Sequence, residues 1–234
     1  MRLSVIIPVF NEEKTIKEII RRVKSTRFQE GVTREIIVVD DASEDKTLDI
    51  LKSVKSIKVL IHKKNKGKGA AIKTGLAKSK GEIIIIQDSD LEYNPKYYFK
   101  LLAPILNGKY KVVYGSRLKK YPLKITGNRR TPLLSHYLGN KFLSFMTNLL
   151  YKSNLSDMET GYKAFHSTVI KRISINAARF EFEPEITAKI LKMNYKIHEI
   201  NIKVNPRGYD EGKKITWKDG FIALLTLIKY KFID

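Results

Sequence analysis

Apolar-rich segments alternate with amphipathic ones through the first half of the chain. Residues 3–9, 35–39, 57–61 and 110–114 form four short apolar-rich runs, and Ile83 to Ile86 form a fifth, made of isoleucine alone. Runs without polar alternation fit strands covered on both faces. Between them the apolar positions take helical spacing. Ile16, Ile19, Ile20 and Val23 share one face, residues 44–54 read as a short helix, and another helix runs from the 65–69 loop to about residue 80. Asn94-Pro95 opens a further helix with Tyr98, Leu101, Leu102 and Ile105 inward. This alternation predicts right-handed βαβ units and a mostly parallel sheet flanked by helices, a doubly wound α/β layout.

The second half is less regular. Residues 131–151 predict a long amphipathic helix, 182–193 a shorter one, 196–204 an edge-like strand and 215–232 a last helix. Phe142, Leu143, Phe145, Met146, Leu149 and Leu150 form one apolar surface, and the segment from Trp217 to Phe232 another. Both surfaces suit either burial in the core or a place in a membrane interface.

A length of 234 residues corresponds to one domain. The chain has no cysteine, which excludes disulfides, thiolate metal sites and cysteine nucleophiles and fits a reducing cytosol. No secretory signal opens the sequence, and the uncharged runs 142–151 and 220–228 fall well short of the ~20 residues that span a bilayer. The net charge of +21 is distributed unevenly: from Tyr93 to Ser156 there is no Asp or Glu but twelve Lys and Arg. Such a run asks for a nucleic acid, an anionic membrane or a phosphorylated substrate. No nucleic-acid module is recognisable, and acids mark the ligand edge of the sheet, so no nucleic-acid partner is expected.

Those acids carry the chemistry. Glu12, Asp40 with Asp41, and Asp88 with Asp90 follow three predicted parallel strands, whose carboxyl ends face one crevice. Crowded carboxylates need a cation or a donor-rich ligand. Asp88-Ser89-Asp90 can hold a hard divalent cation, which in turn holds a diphosphate. Ser43 reads as a helix cap. The loop Asn65-Lys66-Gly67-Lys68-Gly69 lacks the spacing of a P-loop, but its glycines let backbone approach a base or ribose. Arg117 follows the fifth strand, and Arg129-Arg130 precede the long helix, both suited to phosphate.

Several segments recur in order: Ser4 to Glu12, Ile37 to Ser43, Asn65 to Ala70, Asp88-Ser89-Asp90, Gly115-Ser116-Arg117, Asp157 to Phe165 and Glu211 to Trp217. Together they resemble the family 2 glycosyltransferases of GT-A fold, in the branch of polyprenyl-phosphate sugar transferases typified by dolichyl-phosphate mannose synthase. The resemblance implies that Pro8, Phe10, Glu12, Asp40 and Asp41 line the base and ribose, with Gly67, Lys68 and Ser89 beside the same nucleotide. It implies Mg²⁺ or Mn²⁺ at Asp88 and Asp90, with Glu92 completing the shell where the family often has glutamine. Arg117, Arg129, Arg130, Ser135 and Arg207 fall on the acceptor-phosphate side. Asp157 falls near the reaction centre, with Asp90 and Arg117 as further catalytic candidates.

The implied activity is metal-dependent, inverting transfer of a hexose from a nucleotide sugar of the GDP-mannose or UDP-glucose type to polyprenyl or dolichyl phosphate. Residues 1–117 would form the nucleotide-sugar half and 118–234 the acceptor half, and the protein would sit peripherally on the cytoplasmic membrane face. A lipid phosphate is already anionic and needs no strong base. A glycan or cell-surface polysaccharide, the alternative acceptor, would need Asp157 or Glu159 to act as one.

Overall fold

A computed structural model describes residues 1–28, 31–119, 134–204 and 217–233. Seven strands form one sheet in the order β3-β2-β1-β4-β6-β5-β7. They are β1 (Arg2–Val9), β2 (Thr33–Asp40), β3 (Lys58–Ile61), β4 (Ile83–Ile86), β5 (Val112–Ser116), β6 (Lys163–His166) and β7 (Ile197–Asn201). Helices α1 (Ile16–Ser25), α2 (Thr47–Ser53), α3 (Lys68–Lys78) and α4 (Tyr98–Leu106) connect the first five strands, and α5 (Leu134–Tyr151), α6 (Ser167–Ile170), α7 (Phe182–Lys192) and α8 (Trp217–Phe232) follow. The mostly parallel α/β sheet expected from the sequence is present.

The isoleucine run is explained by its position. β4 lies between β1 and β6, and its side chains divide between two cores. Ile83 and Ile85 join Val5 and Ile7 under α1 and α4, whereas Ile84 and Ile86 join Ile6 and Ile72 under α3 and α7. Each fully buried side chain of this kind contributes about 1.5–3 kcal/mol, so the run anchors the centre of the domain.

β6 was not foreseen from the sequence. It runs antiparallel to both neighbours, with Ile84 opposite Phe165 and Val113 opposite Ala164. Three boundaries also shift. α2 starts at Thr47, not residue 44, because the amides of Glu44 and Lys46 turn back to the side chains of Asn11 and Glu13. β5 starts at Val112 because the amide of Tyr110 donates to the Pro104 carbonyl at the end of α4. β7 keeps only five of the nine residues expected, and lies at the edge of the sheet.

α5, α7 and α8 enclose a third cluster of Leu143, Met158, Ala188, Ala223, Leu227 and Tyr230. This divides the two apolar surfaces seen in the sequence. Leu143 turns inward, while Phe142, Phe145 and Leu149 stay exposed. On α8, Ala223, Leu227 and Tyr230 are buried, while Phe221, Ile222, Leu225, Ile228 and Phe232 are exposed.

Candidate active site

β1, β2 and β4 are parallel, so the segments that follow them meet at one edge of the sheet. After β2, Asp41 is buried and fully committed. It accepts the amides of Lys66 (2.9 Å) and Gly67 (2.6 Å) and pairs with His62 Nδ1 at 2.6 Å. Asp40 is also buried. Its Oδ2 accepts the Ser43 amide at 3.2 Å, but Oδ1 has no hydrogen-bond partner among the described residues. A buried acceptor left unpaired is costly, and a ligand N–H is the natural remedy. Glu12 accepts the Thr15 hydroxyl at 2.8 Å and gives its amide to Thr47 Oγ1 at 2.9 Å.

The glycines of the 65–69 loop let its backbone come close to another part of the chain. The amides of Gly69 and Ala70, at the start of α3, donate to the carbonyls of Arg179 and Ala178 at 3.2 and 3.0 Å. A Cβ on Gly67 or Gly69 would run into the backbone of residues 177–178. The loop is therefore docked against the chain before α7, and Gly67 takes φ 93°, a conformation that favours glycine.

This docking aims Lys68 at the end of β4. Its Nζ lies 2.8 Å from Asp88 Oδ1 and 2.8 Å from Glu183 Oε1. Burial alone would lower the Lys68 pKa; the two carboxylates outweigh it and hold the ammonium above its ordinary range. Gly161 packs against the other Asp88 oxygen so closely that a Cβ there would overlap Oδ2. Its amide donates to Tyr93 Oη at 3.0 Å, and the buried phenol also feels Arg117, Asp157, Asp88 and Glu92. Asp90 Oδ1 accepts the Glu92 amide at 3.1 Å across a turn in which Leu91 has φ 65°.

Beyond Asp88 lies a second buried network. Arg117 gives its amide and Nε to Asp157 Oδ2, each at 2.8 Å, and its Nη2 to Oδ1 at 2.7 Å. Burial would raise the Asp157 pKa, but the Arg117 guanidinium pulls it below the usual carboxylate range. Glu199, reaching in from β7, accepts the amides of Ser156 and Asp157 at 3.0 Å. Burial, reinforced by Glu183, pushes the Glu159 carboxyl up to about 8, and its Oε1 has no partner among the described residues. Burial brings the Lys163 ammonium down to about 8; it donates to the carbonyls of Met158 and Thr160 and lies over the Tyr114 ring.

The sequence matches a known family. The model for glycosyl transferase family 2 matches residues 4–174. The chain is a family 2 glycosyltransferase. It is similar to the UDP-N-acetylglucosamine–dolichyl-phosphate N-acetylglucosaminyltransferase of Methanococcus voltae, 31% identical over 98% of this chain and 96% of that one. It is 28% identical to the dolichol-phosphate mannosyltransferase of Pyrococcus furiosus, over 91% of this chain and 59% of the relative. Among solved structures, glucosyl-3-phosphoglycerate synthase of Mycobacterium tuberculosis, in complex with Mn²⁺, UDP and phosphoglyceric acid, has a TM-score of 0.75 at 20% identity, over 99% of this chain and 79% of that one. That likeness establishes the GT-A-type fold.

In this glycosyltransferase, Lys68 and Asp88 are in contact, as are Arg117 and Asp157. Pro8 is buried in β1, Phe10 is half-buried, Ser89 is buried and Ser135 is exposed on α5. Arg129, Arg130 and Arg207 lie outside the described residues. Among the described residues no three acidic or histidine side chains form a ready-made cation cage, so Asp88, Asp90 and Glu92 do not converge into one. The oxygen donors of Asp88 and Asp90 still suit Mg²⁺ or Mn²⁺, which commonly take one or two carboxylates and complete their shell with phosphates and water. Gly161 packs against Asp88 Oδ2 with Tyr93 Cε2 beside it, which fixes the orientation of that carboxylate.

Glu183, Asn140, Glu199 and Tyr93 were not anticipated. Glu183 reads in the sequence as an acid in the first turn of a helix, an ordinary partner for the helix dipole. Its signal is weak: α7 carries Glu183 and Glu185 among apolar residues, and both prove to be buried.

Proposed function

We propose that this glycosyltransferase moves a hexose from a nucleotide sugar to a polyprenyl phosphate at a membrane surface, with inversion and with Mg²⁺ or Mn²⁺. One observation carries the reading. α5 holds the buried network on one side, where Asn140 Nδ2 reaches Asp157 Oδ1 at 2.7 Å. On its other side Leu138, Phe142, Phe145 and Leu149 are exposed in a single stripe. Phe221, Leu225, Ile228 and Phe232 make a like stripe on the adjoining α8. The network thus lies one helix behind an apolar face, roughly 10 Å. A water-borne acceptor gives no reason for that face, whereas a lipid acceptor does. No helix among the described residues is long and apolar enough to cross a membrane. Lys141, Lys152, Lys229 and Lys231 on and beside these helices add attraction to anionic headgroups, and the cytoplasmic leaflet is the anionic one.

The donor reading is supported by Asp40, whose unpaired Oδ1 suits an N–H on a nucleobase. Asp88 and Asp90 would hold the cation, which supplies charge stabilisation to the departing nucleoside diphosphate. Residues 1–117 carry most of the donor contacts and 118–234 most of the acceptor contacts, with Arg117 at the boundary facing the acceptor and Glu183 reaching back to Lys68. Arg117, held by Asp157, presents a fixed positive charge for the attacking phosphate. The relative from Methanococcus voltae is named for a dolichyl-phosphate acceptor, which points the same way. The test is transfer of radiolabelled sugar from GDP-mannose, UDP-glucose and UDP-N-acetylglucosamine to polyprenyl phosphate with Mg²⁺ or Mn²⁺. Label extracted into organic solvent is the expected result. Label found only in water-soluble glycans would overturn the lipid acceptor.

A further inference from the structure

We infer that Lys68 is a resident cation that holds the place of the divalent metal on Asp88, and that Glu183 is the seat onto which it withdraws when the metal arrives with a nucleoside diphosphate. The inference rests on the reading of Asp88 as a metal ligand.

The geometry is that of a shared ammonium. Lys68 Nζ stands 2.8 Å from a carboxylate oxygen on either side, and the side chains of Lys68, Asp88 and Glu183 are 16%, 16% and 5% exposed. A site built of carboxylates for a cation is unstable when vacant, because uncompensated charge away from water costs several kcal/mol. Lys68 relieves that cost for Asp88. Glu183 gives it somewhere to go, so the ammonium can leave Asp88 without becoming a buried unpaired charge itself.

The backbone beneath Lys68 is fixed. The amide of Gly67 is held by Asp41, and those of Gly69 and Ala70 by the carbonyls before α7. Any transfer between the carboxylates is therefore made by the lysine's own side-chain torsions, a small swing within one pocket. Asp88 Oδ2 is packed against Gly161, so Lys68 sits on the remaining oxygen, Oδ1.

A metal ion arriving alone competes with the ammonium for Asp88. A metal arriving with a diphosphate brings negative charge, which offers the displaced ammonium a further partner. Metal and nucleotide should then bind with positive coupling, and each should strengthen the other by the same factor.

The experiment titrates Mn²⁺ into the full chain, without lipid or sugar donor, and follows free Mn²⁺ by electron paramagnetic resonance, with and without UDP. Wild-type protein should bind Mn²⁺ weakly alone and more tightly with UDP. K68M should bind Mn²⁺ alone about tenfold more tightly and lose most of the coupling to UDP, because the ion would no longer compete with an ammonium for Asp88. E183Q should shift the affinity the other way, because Lys68 is then left with Asp88 only. Opposite shifts are the signature, since a purely structural role would move both variants alike. Equal shifts, or none, would overturn the inference. If K68M does not fold, K68M/E183Q, which removes one charge of each sign, should still bind Mn²⁺ alone more tightly than wild type; unchanged affinity there would also overturn it. Wild-type protein that fails to bind Mn²⁺ even with UDP would overturn the metal reading of Asp88 itself, a distinct outcome.

Discussion

Asn140 Nδ2 and Arg117 Nη2 reach the same oxygen of Asp157, each at 2.7 Å. The other oxygen takes the amide and Nε of Arg117, so all four acceptor positions of this carboxylate are filled. A carboxylate so occupied has no lone pair free to take a proton from an acceptor. Asp157 orients Arg117, and Asn140 fixes Asp157.

Removing the charge should therefore cost stability before it costs chemistry. D157A leaves the Arg117 guanidinium without its counter-charge and should destabilise the protein by about 3–5 kcal/mol. N140A, which removes one hydrogen bond to a charged group, should cost about 1.5–3 kcal/mol. Urea denaturation followed by circular dichroism measures both. Equal and small losses would contradict the ranking.

Glu159 predicts a pH dependence. Its carboxyl is raised to about 8 in the folded protein, by burial and by Glu183, from an ordinary value of 4.5. The folded state thus holds this proton more tightly than the unfolded chain. The associated stability is complete below about pH 4.5 and is lost as pH rises toward 8. E159Q cannot ionise and should flatten the decline between pH 5 and 8. Denaturant midpoints across that range decide it, and parallel curves for the two proteins would refute the assignment.

Gly161 tests the fit around Asp88. Its φ is not among the positive ones, so G161A carries no backbone strain, but its methyl group would displace the Asp88 carboxylate. The expected result is a folded protein whose affinity for Mn²⁺ with UDP falls about tenfold or more, since displacements of this size are costly in a positioned site. Calorimetric titration with unchanged affinity would count against Asp88 as a ligand.

The apolar face predicts a surface partner. F145E with L149E removes two of its most exposed side chains, 61% and 64% accessible. Burying a large apolar side chain is worth about 1.5–3 kcal/mol, so co-sedimentation with phosphatidylglycerol-containing vesicles should fall by at least tenfold while UDP binding is retained. Undiminished vesicle binding would place the contact elsewhere.

The parallel core was legible because its signal is local: four isoleucines, and three strands that run into acids. Asp40, Asp88 and Arg117 could be placed from their positions after those strands. What could not be read depended on distant partners. Lys163 to His166 is too short and too mixed to announce a strand, and it carries a buried lysine held by the carbonyls of Met158 and Thr160 and by the Tyr114 ring. Glu183 meets Lys68 across more than a hundred residues of sequence. That residues 177–179 press against the two glycines beside Lys68 could not be read, because nothing nearby in the sequence shows it. On α5 the periodicity was visible, but which apolar residues face inward depends on where α7 and α8 pack.

The late strand β6 also bears on how the chain is made. Among the described residues β4 takes β6 as one of its two neighbours, and β5 pairs with β6 and β7 alone. A nascent chain that has emerged only through β5 therefore carries an isoleucine strand with one bare edge and a following strand with no partner in the sheet. Such edges invite pairing with other chains. Lys163 to His166 fills the gap between β4 and β5, and Ile197 to Asn201 then covers the outer edge of β5, so both edges stay exposed until these late segments have been made.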